Sequence, residues 1–395
     1  MIFAARSRVT SKWVQKMKNK ICEMLGIDFP LLAFTHCRDV VVAVSKAGGM
    51  GVLGAAAMTP EQLEIELQWI DEHIDGFPYG VDIIVPNKML GKGETPELEK
   101  LLAMIPEQHK EFVEQILAGH EIDSCDIDDE ARARYLWSVI NLSDEGAENL
   151  LNVAFSHPIK LIANALGVPP DFMLKRGKAE GVPVAALIGT KEHALRQIDA
   201  GVDVLVVSGT EGGGHCGTVS TMVLVPEVYE ATKEFGVPLL AAGGIVTGRQ
   251  MAAAMAMGAA GAWTGSVWLT TVEAETSPVV KEKLIAARSS QTVRSKSRTG
   301  KFSRQLVSDW TDAWEKPDSP ESLPMPLQTV LVGPALEKVD KLAEGGHKGA
   351  RELATYWVGQ GVGMMNSAQS ARDTVHDFRV DFIEAYERLT DFLEG

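Results

Sequence analysis

The chain has 395 residues, 45% of them apolar, and its 53 acidic against 38 basic side chains leave a formal charge of −15. That balance excludes a generic nucleic-acid binder, whose affinity rests on basic patches. The scattered cysteines Cys22, Cys37, Cys125 and Cys216 exclude a disulfide framework and point to a reducing cytoplasm, and no run of about 18 strongly apolar residues predicts a membrane span.

Residues 1–10 read as an extension. Over 11–25, Trp13, Met17, Ile21 and Met24 recur at helical spacing before the stop GIDFP. A docked helix is expected there rather than a transit peptide, despite the run of basic residues. Beyond it, short apolar runs bounded by glycine and proline alternate with helical segments. The expected strands are FPLLAF (29–34), GMGVLGA (49–55), GVDIIVP (80–86), IKLIANA (159–165), VPVAALI (182–188), VDVLVVS (202–208), VPLLAAG (237–243) and AGAWTGS (260–266). Their apolar runs are continuous rather than alternating, as in a parallel sheet covered on both faces. Eight β-α units predict an α/β fold, a (β/α)8 TIM barrel, with an open doubly wound sheet as the alternative.

Residues 26–86 and 159–333 are assigned to the barrel. The stretch 87–158 is too long for a structureless loop and carries helical patterns, so it reads as a helical insertion after strand three. Leaving that strand at its C-terminal end, it is expected as a lid over the mouth, or else as an oligomer contact. Residues 289–326, rich in Ser, Thr, Arg, Lys and Pro, read as irregular. Residues 334–395 read as a helical C-terminal segment packing on the barrel.

GMGVLG (49–54) satisfies G-x-G-x-x-G but follows a helical pattern and carries the apolar residues of a strand. A dinucleotide fingerprint needs the reverse order. Gly48 and Gly49 read instead as a helix end. The chemistry lies at the C-terminal strand ends, which share one face. GTEGGGHCG (209–217) follows the sixth expected strand. Gly243 and Gly244 follow the seventh, Gly265 and Ser266 the eighth. Loops after strands seven and eight frequently bind phosphate, and these residues offer bare amides and a hydroxyl. His215 lies one strand away, on glycines that let backbone run flat against a planar ring. A neutral imidazole, with a reference pKa of about 6.5, suits general-base work there. A metal is not expected, because His215 and Cys216 diverge and no H-x3-H or C-x2-C partner exists. Cys216 as a nucleophile has poor geometry toward its neighbour His215.

GTEGGGHCG resembles the G-x-E-A-G-G-H-x-G loop of the nitronate monooxygenase family, also called 2-nitropropane dioxygenases. AAGGIVTGRQMAAAMAMGAAGAWTGSVWL (241–269) is similar to that family's two FMN-phosphate loops. FPLLAF with VSKAGGMGVLG resembles its first strand and turn, GVDIIVP its third strand, and SSQTVRSKSRTGK and WVGQGVG more distal features. The resemblance covers about 20–85 and 159–365, outside the insertion. It implies an FMN-dependent oxidoreductase in which His215 moves a proton near the flavin. It also implies that Gly213 and Gly214 lie beside the ring and that Gly243, Gly244, Gly265 and Ser266 bind its phosphate. Ala33, Phe34, Thr35, Asp82, Leu187, Ser208, Trp263 and Thr264 complete the implied cofactor set.

The departures from that pattern are Ser208 where Gln or Asp is frequent, Asp82 for the common Asn, AFTHCRD after the first strand, and Cys216 after the histidine. They place His36, Cys37 and Cys216 toward the substrate. The functions carried forward are oxidation of a nitronate or similar carbanion with dioxygen, and NAD(P)H-linked reduction or dehydrogenation of a CoA or acyl thioester or a quinone. A non-catalytic flavin carrier is the third. The expected partners are a small-molecule substrate with dioxygen or NAD(P)H, with no nucleic acid and no membrane; homodimer formation is left open.

Overall fold

The computed structural model describes residues 17–85, 98–124, 139–141 and 143–394. The expected extension 1–10, positions 11–16 of the first helix, Cys125 and much of the 87–158 insertion lie outside these residues. The first described helix, Lys20–Leu25, starts later than its apolar spacing suggested. Asn19 sets the start, because its side chain accepts from the Ile21 and Cys22 amides.

Eight parallel strands close into a barrel: β1 (Leu31–Thr35), β2 (Met50–Gly54), β3 (Tyr79–Ile83), β4 (Leu161–Asn164), β5 (Val184–Ile188), β6 (Val204–Ser208), β8 (Leu239–Ala242) and β9 (Gly261–Thr264). β9 pairs back onto β1, with Leu32 opposite Trp263. The fold is the expected TIM barrel, and each expected strand overlaps an observed one; β1 runs one residue past 29–34 and β3 starts one residue before 80–86. Alternate residues fill the interior as an apolar cluster that includes Leu32, Val52, Leu161, Val206 and Leu240. The residues between them face the helices, so both strand faces are buried and the runs read as continuous.

The helix ring is closed from a distance. Asp144–Ala154 packs on Pro60–His73 and on β3, in the position between β3 and β4. The last helix, Ala371–Glu394, lies between Gly248–Ala256 and Arg38–Lys46 and supplies the eighth position. The chain between β9 and that helix therefore leaves and re-enters at the mouth. Close crossing is possible because position 248 is glycine: a Cβ there would run into the Phe378 carbonyl and the Phe382 amide. Asp381 fixes the crossing by accepting from the Arg249 amide at 2.7 Å, at a helix N-terminus that favours negative charge.

The region read as irregular, 289–326, is structured. β10 (Thr292–Ser295) and β11 (Ser303–Leu306) form an antiparallel hairpin, and β11 pairs with the short β7 (Gly214–His215). The helix Asp309–Trp314 follows, with Trp310 and Trp314 buried. Phe112, on the described helix Glu107–Ala118 of the insertion, meets the Trp314 ring edge-on at 5.0 Å.

Gly248→Val forces a branched side chain into the Phe378 backbone. It should lower unfolding stability by about 1–3 kcal/mol, read from denaturant midpoints; an unchanged midpoint would show that the two helices do not cross at this glycine.

Candidate active site

Strand parity decides which residues reach the mouth. On β3, Tyr79, Val81 and Ile83 pack outward with helix residues, so Asp82 points into the barrel. Phe34, Leu187 and Trp263 belong to the interior cluster, and Ser208 shares the parity of Val206. The structure brings Phe34, Asp82, Leu187, Ser208 and Trp263 together at the inner end of the barrel. The Phe34 ring stacks near Trp263 at 6.3 Å and gives the mouth an apolar floor. Ala33, Thr35 and Thr264 turn the other way. Ala33 packs under the helices. Thr35 Oγ1 accepts from the Cys37 amide at 3.1 Å. Thr264 Oγ1 donates to the Leu32 carbonyl and accepts from Trp268 Nε1. Only their backbone borders the mouth.

Asp82 is 2% exposed, and its Oδ2 has no hydrogen-bond partner. Burial without a charged neighbour pushes its carboxyl well above the usual range, toward the neutral acid. An orphaned buried carboxyl is costly. Here it is aimed where a polar ligand edge would satisfy it.

The loops after β8 and β9 have the character of an anion cradle. Gly243 and Gly244 take φ of 101° and 73°, in the left-handed region that favours glycine. Among the described residues the amides of Gly244, Gly265 and Ser266 meet no acceptor. Gln250 closes the adjacent helix start, donating from Nε2 to the Gly244 carbonyl at 2.8 Å and accepting from the Val246 amide at 2.9 Å. Ser266 Oγ accepts from the Gly359 amide at 2.8 Å, so its hydroxyl also holds a returning segment of chain.

GTEGGGHCG is braced on three sides. Glu211 Oε2 accepts from the amide and hydroxyl of Thr221 at 2.9 Å each, tying the loop to the helix it precedes. The Glu211 carbonyl accepts from the Gln360 amide at 2.9 Å. A Cβ on Gly213 would sit 2.8 Å from the Gly359 nitrogen. His215 is paired in β7 opposite Ser303. Its Nδ1 lies 3.3 Å from the Phe302 carbonyl. A carbonyl only accepts, so Nδ1 carries the proton and Nε2 keeps a lone pair. Desolvation lowers the imidazole pKa, partly offset by the Phe302 carbonyl and reinforced by Lys301.

A model of the nitronate monooxygenase family matches residues 22–380. The chain belongs to the nitronate monooxygenase family. It is 49% identical over 379 residues to the Mycobacterium tuberculosis protein Rv1533, named as a monooxygenase, covering 96% of this chain and 100% of that one. It is 26% identical over 343 residues to a Bacillus subtilis protein named as a nitronate monooxygenase, covering 85% and 89%. Among solved structures, the nitroalkane oxidase of Streptomyces ansochromogenes aligns with a TM-score of 0.75 at 24% identity, over 93% of this chain and 99% of that one. FabK of Thermotoga maritima aligns at 0.68 and 24%, over 95% and 99%. This family member is accordingly an oxidoreductase of the nitronate monooxygenase type.

The three residues expected toward the substrate, His36, Cys37 and Cys216, are placed differently from one another. His36 stands at the rim against Phe34, with Nδ1 2.9 Å from the Gly54 carbonyl, and crowding by its neighbours lowers its pKa. It is a second imidazole at the mouth shifted toward its neutral form. Cys37 is buried and donates to the Glu273 carbonyl at 3.2 Å, away from the barrel axis; burial raises its thiol pKa. Cys216 follows His215 in an extended strand and so faces the opposite side. There its Sγ donates to the Thr210 carbonyl at 3.5 Å, beside Arg294 and Arg304, and burial again raises its pKa. The geometry leaves His36 facing the mouth and turns both thiols from it.

The brace from β10 and β11 escaped the sequence reading. Arg304 is 7% exposed and donates from Nε to the Thr210 carbonyl at 2.9 Å and from Nη1 to Thr292 Oγ1 at 3.1 Å. The only signal was period-two spacing on either side of a Thr-Gly turn, in TVRS and SRQL.

A neutral Asp82 has a sign consequence. The folded pKa lies above the unfolded value near 4, so the folded state binds the extra proton. That contribution is complete below pH ~4 and is lost as pH rises toward the folded pKa. Relative to Asp82→Asn, the wild type should lose stability above pH ~4 by up to about 1.4 kcal/mol per pH unit. Urea midpoints of both proteins across pH check this; two parallel curves would mean Asp82 is not held neutral.

Proposed function

We propose that this chain is an FMN-dependent oxidoreductase that oxidises a nitronate or a similar carbanion with dioxygen, His215 serving as general base. The observation carrying the reading is the meeting at one barrel mouth of a neutral His215, with a free Nε2, and a three-amide cradle one to two strands away. The residues present fit FMN. Gly244, Gly265 and Ser266 would hold the phosphate. Gly213 and Gly214 would border the ring, with Asp82 giving its unpaired carboxyl oxygen to the polar edge. Phe34, Leu187 and Trp263 would pack below it. Ser208 is of the right parity to contact it.

When bound, FMN supplies the electron acceptor that passes reducing equivalents to dioxygen. The protein supplies the rest. The Phe302 carbonyl fixes the His215 tautomer, so a proton leaving the carbon next to a nitro group moves to Nε2. Burial keeps that nitrogen unprotonated at neutral pH. The apolar floor excludes water and strengthens each polar contact above it. The helices Leu98–Ala103 and Glu107–Ala118 are assigned as part of a lid over this mouth. The free thiols Cys37 and Cys216 fit a cytoplasmic enzyme. Among the described residues no helix is long and apolar enough to cross a membrane.

Purified protein should show a flavin spectrum and consume oxygen with propionate-3-nitronate without NADH. Anaerobic NADH or NADPH that bleaches the flavin, with no turnover of any nitronate, would move the assignment to the reductase alternative. His215→Ala should keep the flavin and lose about 10²–10⁴ in turnover of a neutral nitroalkane, where a carbon proton must leave. In the wild type that activity should fall as pH drops through a value below 6.5, the ordinary histidine pKa. Full activity in the alanine variant removes the base role.

A further inference from the structure

The β10–β11 hairpin is a cationic element in an acidic protein. Arg294, Lys296, Arg298, Lys301 and Arg304 fall within it, and no Asp or Glu occurs between Lys283 and Asp309. Four of the five are engaged by the protein. Arg294 donates to the Cys216 carbonyl and lies over the Phe302 ring. Lys296 lies over the same ring and near Glu321. Arg298 donates to the Thr355 carbonyl and lies over Trp357. Arg304 is spent on Thr210 and Thr292.

Lys301 is different. Among the described residues its Nζ has no hydrogen-bond or ion-pair partner, although the residue is half-buried. Its place follows from register. His215 pairs with Ser303, and Lys301 lies in the bend that leads into β11, two residues before Ser303. The ammonium is close enough to His215 to help lower the imidazole pKa. A half-desolvated cation without a counterion is unfavourable in the resting protein, and its own pKa is lowered by that burial. An arriving anion would relieve the cost, and no carboxylate of the hairpin competes for it.

We propose that Lys301 is the substrate-anion subsite of the mouth, binding the charged oxygens of a small organic anion, nitronate or carboxylate, while the reacting carbon faces His215. This rests on the reading of the mouth as the substrate site. It makes the enzyme selective by charge: substrates presenting an oxyanion are held, and neutral analogues are held by shape alone. It also couples two groups, because the cation that holds the substrate adds to the burial that keeps His215 unprotonated.

The test compares Lys301→Met and Lys301→Arg with the wild-type holoenzyme. Lys301→Met should raise KM for propionate-3-nitronate about tenfold to a hundredfold, as for loss of a hydrogen bond to a charged group. Its kcat for that substrate should stay within about twofold, because uniform binding is what is lost. KM for neutral nitroethane should not move. Lys301→Arg should restore most of the nitronate KM. The acid limb of the nitroethane profile should shift upward in Lys301→Met, since the cation that depresses His215 has gone. Equal losses on charged and neutral substrates, or an unmoved nitronate KM, overturn the proposal. Propanoate binding, measured by calorimetry, separates this from the reaction assignment. If no nitronate is turned over but Lys301→Met weakens propanoate binding by a similar factor, the anion subsite stands and the reaction does not. If propanoate binds both proteins alike, the subsite falls.

Discussion

A methyl group on Gly213 would come within 2.8 Å of the Gly359 nitrogen and the Val358 carbonyl carbon, and one on Gly359 would strike the Glu211 carbonyl. This passage of backbone against backbone lets the long excursion between β9 and the last helix settle on the loop after β6. Once it has settled, the Gly359 amide reaches Ser266 and the Gln360 amide reaches Glu211. The excursion also carries β11, whose pairing with β7 holds His215. Side chains at Gly213 or Gly359 would separate those layers, and the cradle, the base and the hairpin would lose their common frame. The glycines therefore keep the mouth rigid. They are not there to make it flexible.

That frame sets the electrostatics. Five ionisable groups around the mouth, Asp82, His36, His215, Cys37 and Cys216, are shifted first of all by desolvation, and each toward its neutral form. The acidic character of the chain as a whole does not extend to the hairpin. The net effect is a mouth that is neutral where the ring and substrate would lie and positive on the hairpin side. Such a field suits an anionic reactant on a neutral base. A protonated imidazole would also attract an anion but could not take the carbon proton of a neutral nitroalkane.

Much of this was legible in the sequence, and the misses have common physical causes. The eight strands announced themselves because burial on both faces makes each run continuously apolar, as in VDVLVVS and VPLLAAG. The glycine loops could be placed because barrel order alone puts the ends of β6, β8 and β9 on one face. The hairpin was hidden because its strands bury Arg304 and Gln305 through side-chain hydrogen bonds rather than apolar contact, and composition then reads as loop. β7 is only Gly214–His215, too short for any pattern. The closing of the ring by Ala371–Glu394 is a long-range pairing that no local periodicity encodes. Parity separated Asp82 and Trp263 from Ala33 and Thr264, a one-residue distinction that depends on register.

Adjacency of His215 and Cys216 suggests cooperation, and the sheet forbids it. Successive residues of an extended strand face opposite sides. His215 pairs with Ser303, near Lys301 in the bend before β11, while Cys216 lies beside Arg294 and Arg304. The thiol has work on that side: it donates to the Thr210 carbonyl, which also accepts from Arg304 Nε. Departure from the family pattern at this position therefore alters the brace behind His215 rather than the surface in front of it. On the proposed reading, substrate choice falls to the groups left at the mouth, His36 at the rim and Lys301 on the hairpin.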